Sequence, residues 1–210
     1  MFITFEGIEG CGKTTQITLL GQYLKKNDLE FLVTREPGGT IIGDKIRKIL
    51  LDPQNSRITP LAELLLYAAN RSQHVNEIIK PAIKKDRIVL CDRFCDATFV
   101  YQGFARGLDL GFIKKLNLLV SEEILPELTF LIDCPVQVGL SRANSRMNSP
   151  SGKKGEDRFE RESISFHQKI REGYLLIAKQ ETRRVAVIDG TKDKNTVHRE
   201  ICRVVSSRIF

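Results

Sequence analysis

The stretch GIEGCGKTT, Gly7 to Thr15, holds the first residues whose types and spacing could do chemistry. Gly7, Gly12, Lys13 and Thr14 fit G-x-x-x-x-G-K-[ST], a pattern that cradles nucleotide phosphates when it joins a strand to a helix. Glycines admit backbone conformations closed to other residues. N–H groups along Gly7, Ile8, Glu9, Gly10, Cys11 and Gly12 can therefore converge on one anion, and Thr15 sits where the following helix presents its positive dipole end. Lys13, read as a solvated loop lysine, adds a full charge, and the Thr14 hydroxyl is placed to reach a magnesium ion bridging the terminal phosphates. The expected guest is the tail of a nucleoside triphosphate.

A second anion is suggested by TREPGGT, Thr34 to Thr40, and CDRF, Cys91 to Phe94, which put Arg35 and Arg93 at the ends of two apolar runs. The planar guanidinium donates two parallel hydrogen bonds and so suits a phosphate. Either arginine alone could be a surface ion pair; the two together favour a phosphate acceptor. Asp92 ends the run Ile88 to Cys91, where P-loop proteins place a carboxylate that orients magnesium or its waters. Arg142, Arg146 and Arg158 flank RMNSPSGKKGEDR, residues 146–158, whose composition reads as a mobile loop. Closing such a lid would bring guanidinium groups over a transferring phosphoryl and exclude water, the alternative being a solvated connection. The three histidines, His74, His167 and His198, lie on predicted helices and read as surface or packing residues.

The elements that must position these groups follow from hydrophobic patterning. Apolar runs at Phe2–Glu6, Phe31–Arg35, Ile88–Asp92, Leu128–Asp133 and Val185–Asp189 predict strands. Helical patterns occupy Lys13–Asn27, Ile42–Leu51, Pro60–Lys80, a pair across Asp96–Ser121, Pro135–Arg146, Phe159–Lys179 and a last stretch from Lys194. The alternation predicts an α/β fold, a five-stranded parallel sheet covered on both faces and forming one domain over residues 1–210. In such sheets the ligand crevice lies at the carboxyl ends of the strands, where the charged motifs converge.

The formal charge of +7 is spread along the chain with acidic residues between, which suits phosphorylated small molecules as well as nucleic acid. Basic residues interleaved with a stripe of stacking aromatics, as a nucleic-acid groove needs, are not seen, and the N-K-x-D base-reading motif of switch GTPases is missing. The five cysteines show no C-x-x-C pairing and fit reduced thiols in a cytoplasmic setting. MFITFEG leaves no room for a signal peptide, and no apolar run nears the roughly 18 residues of a membrane span.

FEGIEGCGKTTQ, TREPGGT, LLYAANRSQH, DRFCDATFVYQG and DRFERES together resemble the bacterial-type thymidylate kinases over nearly the whole chain. The resemblance implies a P-loop kinase that phosphorylates thymidine monophosphate (dTMP) with ATP and Mg2+ and works as a homodimer. Gly7 to Thr15 would hold the ATP phosphates, with Lys13 central, and Arg142 would stack on adenine. Asp92 would help order magnesium with Thr14. Arg35 and Arg93 would clamp the dTMP phosphate, and Glu9 would lie near its sugar and phosphate. Tyr67, where the family more often has Phe, would stack on thymine, and Arg71 would donate to its O4. Thr98 and Tyr101 would meet the base edge and the deoxyribose, leaving no space for a 2′-hydroxyl. Arg146 and Arg158 would be lid arginines. The stretch SPSGKKG is longer and more basic than the usual pattern, so which of Arg146, Lys153, Lys154 and Arg158 reaches the transition state stays open. Another nucleoside monophosphate kinase would share the loop and the clamp and differ in the base pocket.

Overall fold

The computed structural model describes residues 1–147 and 158–209. Most of the expected lid, with Lys153 and Lys154, lies outside them. The five apolar runs form strands β1 (Phe2–Glu6), β2 (Phe31–Arg35), β3 (Ile88–Asp92), β4 (Leu128–Asp133) and β5 (Val185–Asp189), at the bounds expected from patterning. They pair in the order β2-β3-β1-β4-β5, every pair parallel. β1 is buried along its whole length. The edge strands are only partly buried, exposing Val33 on β2 and Val187 on β5. That is how a sheet covered on both faces distributes its hydrophobic residues.

The helices are α1 (Lys13–Lys26), α2 (Ile41–Leu51), α3 (Pro60–His74), α4 (Lys80–Ile83), α5 (Cys95–Thr98), α6 (Leu110–Val120), α7 (Val136–Met147), α8 (Ile164–Gln180) and α9 (Lys194–Ile209). α3 passes into α4 through a π-helical stretch, Val75–Ile79, and α5 continues into a second, Phe99–Ala105. Wide turns of this kind recur at functional sites, and the second one carries Tyr101. The helix expected from Phe159 begins at Ile164 instead. The Ser163 hydroxyl accepts from the Phe166 N–H at 3.2 Å and caps the helix there, leaving 158–160 as a turn.

Register sets the site. Arg35 on β2 stands opposite Asp92 on β3, and Asp92 opposite Phe5 on β1, immediately before the phosphate loop. The loop is also pinned from the far side. Gly10 has φ +70, and a Cβ there would run into the Gly139 carbonyl of α7, while a Cβ on Gly139 would lie 2.5 Å from the Glu9 carbonyl. Two glycines thus let loop and helix touch backbone to backbone. Gly10→Ala should cost about 1–3 kcal/mol in strain and lower thermal melting by roughly 2–10 °C. An unchanged melting temperature would show that the loop and α7 are not held in contact.

Candidate active site

A cleft of about 780 Å³ opens at the carboxyl ends of β1, β2 and β3, with residues 9–15 of the glycine-rich loop along one wall. Side chains cap other helices: Thr40 caps α2, Thr59 α3, Asp109 α6 and Ser163 α8. α1 instead starts on Gly12 at φ +109 with no side-chain cap and no acidic residue in its first turn. Its first N–H groups and dipole therefore face the cleft, which is what an anion needs. Lys13 is not the solvated residue expected: it is 7% exposed, and its Nζ donates to the carbonyls of Gly7 (3.0 Å) and Ile8 (2.9 Å). Those two residues form the back of the loop, and their carbonyls hold the ammonium across its mouth.

The Thr14 hydroxyl donates to Asp92 Oδ2 at 3.1 Å, so these two oxygen donors converge at the loop's edge. Among the described residues no group of three His, Cys, Asp or Glu side chains forms a metal cage. A magnesium ion fits this pair well, because Mg2+ takes one or two protein oxygens and completes its shell with phosphate oxygens and water.

Arg93 lies beside the loop. It donates from Nη2 to Glu9 Oε1 (2.9 Å) and from Nη1 to the Tyr174 hydroxyl (3.0 Å), and it stacks 4.9 Å over the Tyr101 ring. The Tyr101 hydroxyl donates to the same Glu9 oxygen. His167 Nδ1 is 3.2 Å from Glu9 Oε2, an ion-pair distance without hydrogen-bond alignment. Burial pushes the Glu9 carboxyl up, but Arg93, His167 and Lys13 outweigh it and hold the group far below its usual 4.5. Behind this cluster Glu6 is pushed up to about 7 by burial and by Asp96, against the pull of Arg93 and hydrogen bonds from Tyr174 and the Phe94 N–H. Arg35 is half-exposed at the cleft mouth and pairs with Asp44 of α2 at 3.3 Å.

The far end of the cleft is built on one face of α3. Tyr67 lines it, with a phenol kept neutral by burial and by Glu63. Arg71 is 1% exposed yet borders the cleft. Its fork donates to Glu36 Oε2 (2.9 Å), Asn117 Oδ1 (2.7 Å), the Phe94 carbonyl (3.0 Å) and Thr98 Oγ1 (2.9 Å). A guanidinium has five N–H groups, so a single one, on Nη1, is left for a guest. Thr98 thus engages Arg71, and Tyr101 engages Glu9, while both also line the cleft.

Arg142 and Arg146 come from α7. Arg142 Nη1 donates to the Gly190 carbonyl at 2.8 Å, which fixes its plane against the wall that runs on to Lys194. Arg146 faces the cleft from the last turn of its helix. Arg158 departs from the expected lid role. Its guanidinium is buried, donates to Glu63 Oε2 (2.6 Å) and to the Leu50 carbonyl, lies over the Phe159 ring and does not line the cleft. A guanidinium already neutralised by a buried carboxylate has little to gain from a phosphate. It anchors the turn that follows residue 157 to α2 and α3.

Several residues that shape the site were not singled out by sequence reasoning. Glu63 could have been, since it lies four residues before Tyr67 and eight before Arg71 on the same helical face. His74, fully buried, bridges Thr34 (2.6 Å) and Glu36 (2.9 Å) beneath the TREPGGT turn. Asn117, Tyr174 and His167 carry no local signal. The depressed Glu9 carboxyl has a measurable consequence. Because its ionised form is favoured in the folded chain, its contribution is complete above 4.5 and is lost as pH falls below that. The difference in melting temperature between wild type and Glu9→Gln should therefore shrink from about pH 5 to pH 3. Parallel melting curves over that range would contradict this electrostatic role.

The thymidylate kinase family model matches residues 5–201. The thymidylate kinase of Geotalea daltonii is 56% identical over 208 residues, covering 99% of this chain and 97% of its own. That of Citrifermentans bemidjiense is 59% identical over 192 residues, 91% of this chain and 85% of its own. The crystal structure of the Ehrlichia chaffeensis thymidylate kinase superposes with a TM-score of 0.77 at 36% identity, over 98% of each chain. The glycine-rich loop, the strand-end arginines and the α3 pocket thus sit on a chain that is similar to these enzymes from end to end. It belongs to the thymidylate kinase family.

Proposed function

We propose that this chain transfers the γ-phosphoryl group of ATP to dTMP, giving dTDP and ADP on the route to dTTP. The observation that carries this reading is a single cleft with an uncapped P-loop helix at one end and, at the other, Tyr67 beside an arginine fork with one N–H to offer. Thymine presents an acceptor at O4 where cytosine presents an amino donor, so that N–H finds a partner only with the former. Thr98 and Tyr101 line the cleft between α3 and the loop, where the deoxyribose would lie.

The acceptor's phosphate has a second pKa near 6 and is largely ionised at neutral pH, so no general base is required. One of its oxygens attacks the γ-phosphorus; that bond forms as the bond to the β,γ-bridging oxygen breaks, and ADP leaves with the electron pair. The obstacle is anion repulsion, roughly 4 kcal/mol for each pair of unit charges 4 Å apart at an effective dielectric of 20. Lys13 and the α1 N-terminus hold the donor phosphates, Arg35 and Arg93 hold the acceptor phosphate, Arg146 adds charge over the transferring group and Arg142 packs on adenine. Magnesium bound at Thr14 and Asp92 would supply further charge neutralisation.

We further read the chain as one domain working in the reducing cytoplasm, consistent with its free cysteines; no helix among the described residues is long and apolar enough to cross a membrane. Exposed Ile41, Ile42 and Ile49 on α2 and Leu61 and Leu65 on the adjoining α3 form an apolar face that suits a second copy of the chain.

Arg71→Ala would leave the buried Glu36 without its guanidinium partner, so Arg71→Lys is the cleaner probe. It keeps the charge and loses the fork, and should lower kcat/KM for dTMP by about tenfold to a hundredfold while leaving KM for ATP unchanged. Initial rates with thymidine, deoxyuridine, deoxycytidine and uridine monophosphates complete the test. A wild type that prefers the cytidine substrate would sink the thymidylate reading and leave a generic nucleoside monophosphate kinase. For the assembly, Leu65→Glu should convert a dimer to a monomer in sedimentation equilibrium, and a wild type that sediments as a monomer would remove the dimer.

A further inference from the structure

Arg93 adopts a backbone conformation that its side chain does not favour. Its φ is +71, in the left-handed region that a residue with a Cβ enters seldom, and here its surroundings hold it there. One carboxylate does so from behind. Glu6, at the end of β1, is fully buried. Its Oε1 accepts from the N–H of Phe94, the residue directly after Arg93, at 2.7 Å. Its Oε2 accepts from the Tyr174 hydroxyl at 2.6 Å, and that hydroxyl in turn accepts from Arg93 Nη1 at 3.0 Å. The same carboxylate therefore fixes the backbone beside Arg93 directly and its guanidinium through one relay. Neither Glu6 nor Tyr174 lines the cleft.

We propose that Glu6 and Tyr174 are positioning residues for phosphoryl transfer, holding Arg93 in the orientation that meets the acceptor's phosphate. This rests on the reading of Arg93 as the clamp on that phosphate. Tyr174 and Glu9 engage two of the five N–H groups of Arg93, from opposite ends of the fork, which sets the plane of the guanidinium and the direction of the three that remain. A carboxylate is costly to bury as a mere space-filler. Glu6 instead matches two donors, one on each oxygen, and both belong to the machinery around Arg93. Without Tyr174 the fork would keep Glu9 as its one hydrogen-bond partner and could turn in its plane over the Tyr101 ring.

The test compares two ligands that differ only by the group Arg93 would hold. Tyr174→Phe removes one hydroxyl and keeps the ring that packs edge-on against Tyr101. Glu6→Gln keeps shape and replaces one acceptor by a donor, and it serves if the first variant does not fold. Dissociation constants for thymidine and for dTMP are measured by calorimetry, with kcat and KM for dTMP and ATP. Either variant should weaken dTMP binding by about 3- to 10-fold, the size of one ordinary hydrogen bond, because the clamp is misaimed rather than removed, while thymidine binding and the KM for ATP hold. kcat should fall by about tenfold or more, because misplaced reacting groups lose rate steeply. A merely structural role would weaken both ligands alike, and that result, or no change in either, overturns the proposal. Arg93→Ala separates the layers. If it leaves the preference for dTMP over thymidine intact, the clamp reading itself fails; if it lowers the preference while Tyr174→Phe and Glu6→Gln retain it in full, the positioning role alone is lost.

Discussion

A guanidinium taken out of water must be matched by carboxylates before it can be aimed at a ligand, and that pairing organises this molecule. Desolvating a single charge costs several kcal/mol even after relaxation. Arg71 is offset by Glu36 at 2.9 Å, and Arg93 by Glu9 at 2.9 Å. Each acid is itself held: Glu36 by His74, Glu9 by the Tyr101 hydroxyl. Both arginines border the cleft, and each keeps N–H groups that these partners leave over. Donors fixed in this way need no reorganisation when an anion or a carbonyl arrives, which is the condition under which electrostatic stabilisation is largest.

The sheet order decides which of these pairs meet. β3 lies between β1 and β2, so the phosphate loop, Asp92 with Arg93, and Arg35 emerge side by side although long stretches of chain separate them. α3 then brings Glu63, Tyr67 and Arg71 along one face. Glu63 is the far anchor of that face and is bound by Gln102 (2.8 Å), Arg158 (2.6 Å) and Arg106 (3.3 Å). Arg106 also pairs with Glu162 at 2.6 Å. The helix that carries Tyr67 and Arg71 is thereby tied to the chain on the C-terminal side of residue 157, and Arg158 belongs to this tie.

His74 spans Thr34 and Glu36 and stabilises the turn after β2, and His167 is enclosed beside Glu9. Of the expected surface or packing roles both take the buried one, and the partners they meet there were not foreseen. A reaction whose nucleophile is already an ionised phosphate oxygen needs cations in fixed places, and the cleft supplies Lys13, Arg35, Arg93 and Arg146 around a loop that offers backbone N–H groups.

The sequence by itself determined what depends on neighbours along the chain. All five strands fall at the expected residues because a run of apolar residues between turn formers is a local signal. The phosphate loop is equally local, with Gly7, Gly12, Lys13 and Thr14 inside one contiguous stretch. Arg35, Asp92, Arg93, Tyr67 and Arg71 were legible as strand-end or helix-face residues and do border the cleft. Only the tertiary structure decided which charge each of them meets. Arg158 reads as a loop arginine until Glu63, 95 residues away, claims it. Lys13 reads as solvated until its own loop closes around it. Tyr174 has no signal at all until α8 brings its hydroxyl to Glu6 across 168 residues. A buried ion or hydroxyl takes whatever partner the packing of distant elements puts within about 3 Å, and no period or spacing along the chain encodes that choice.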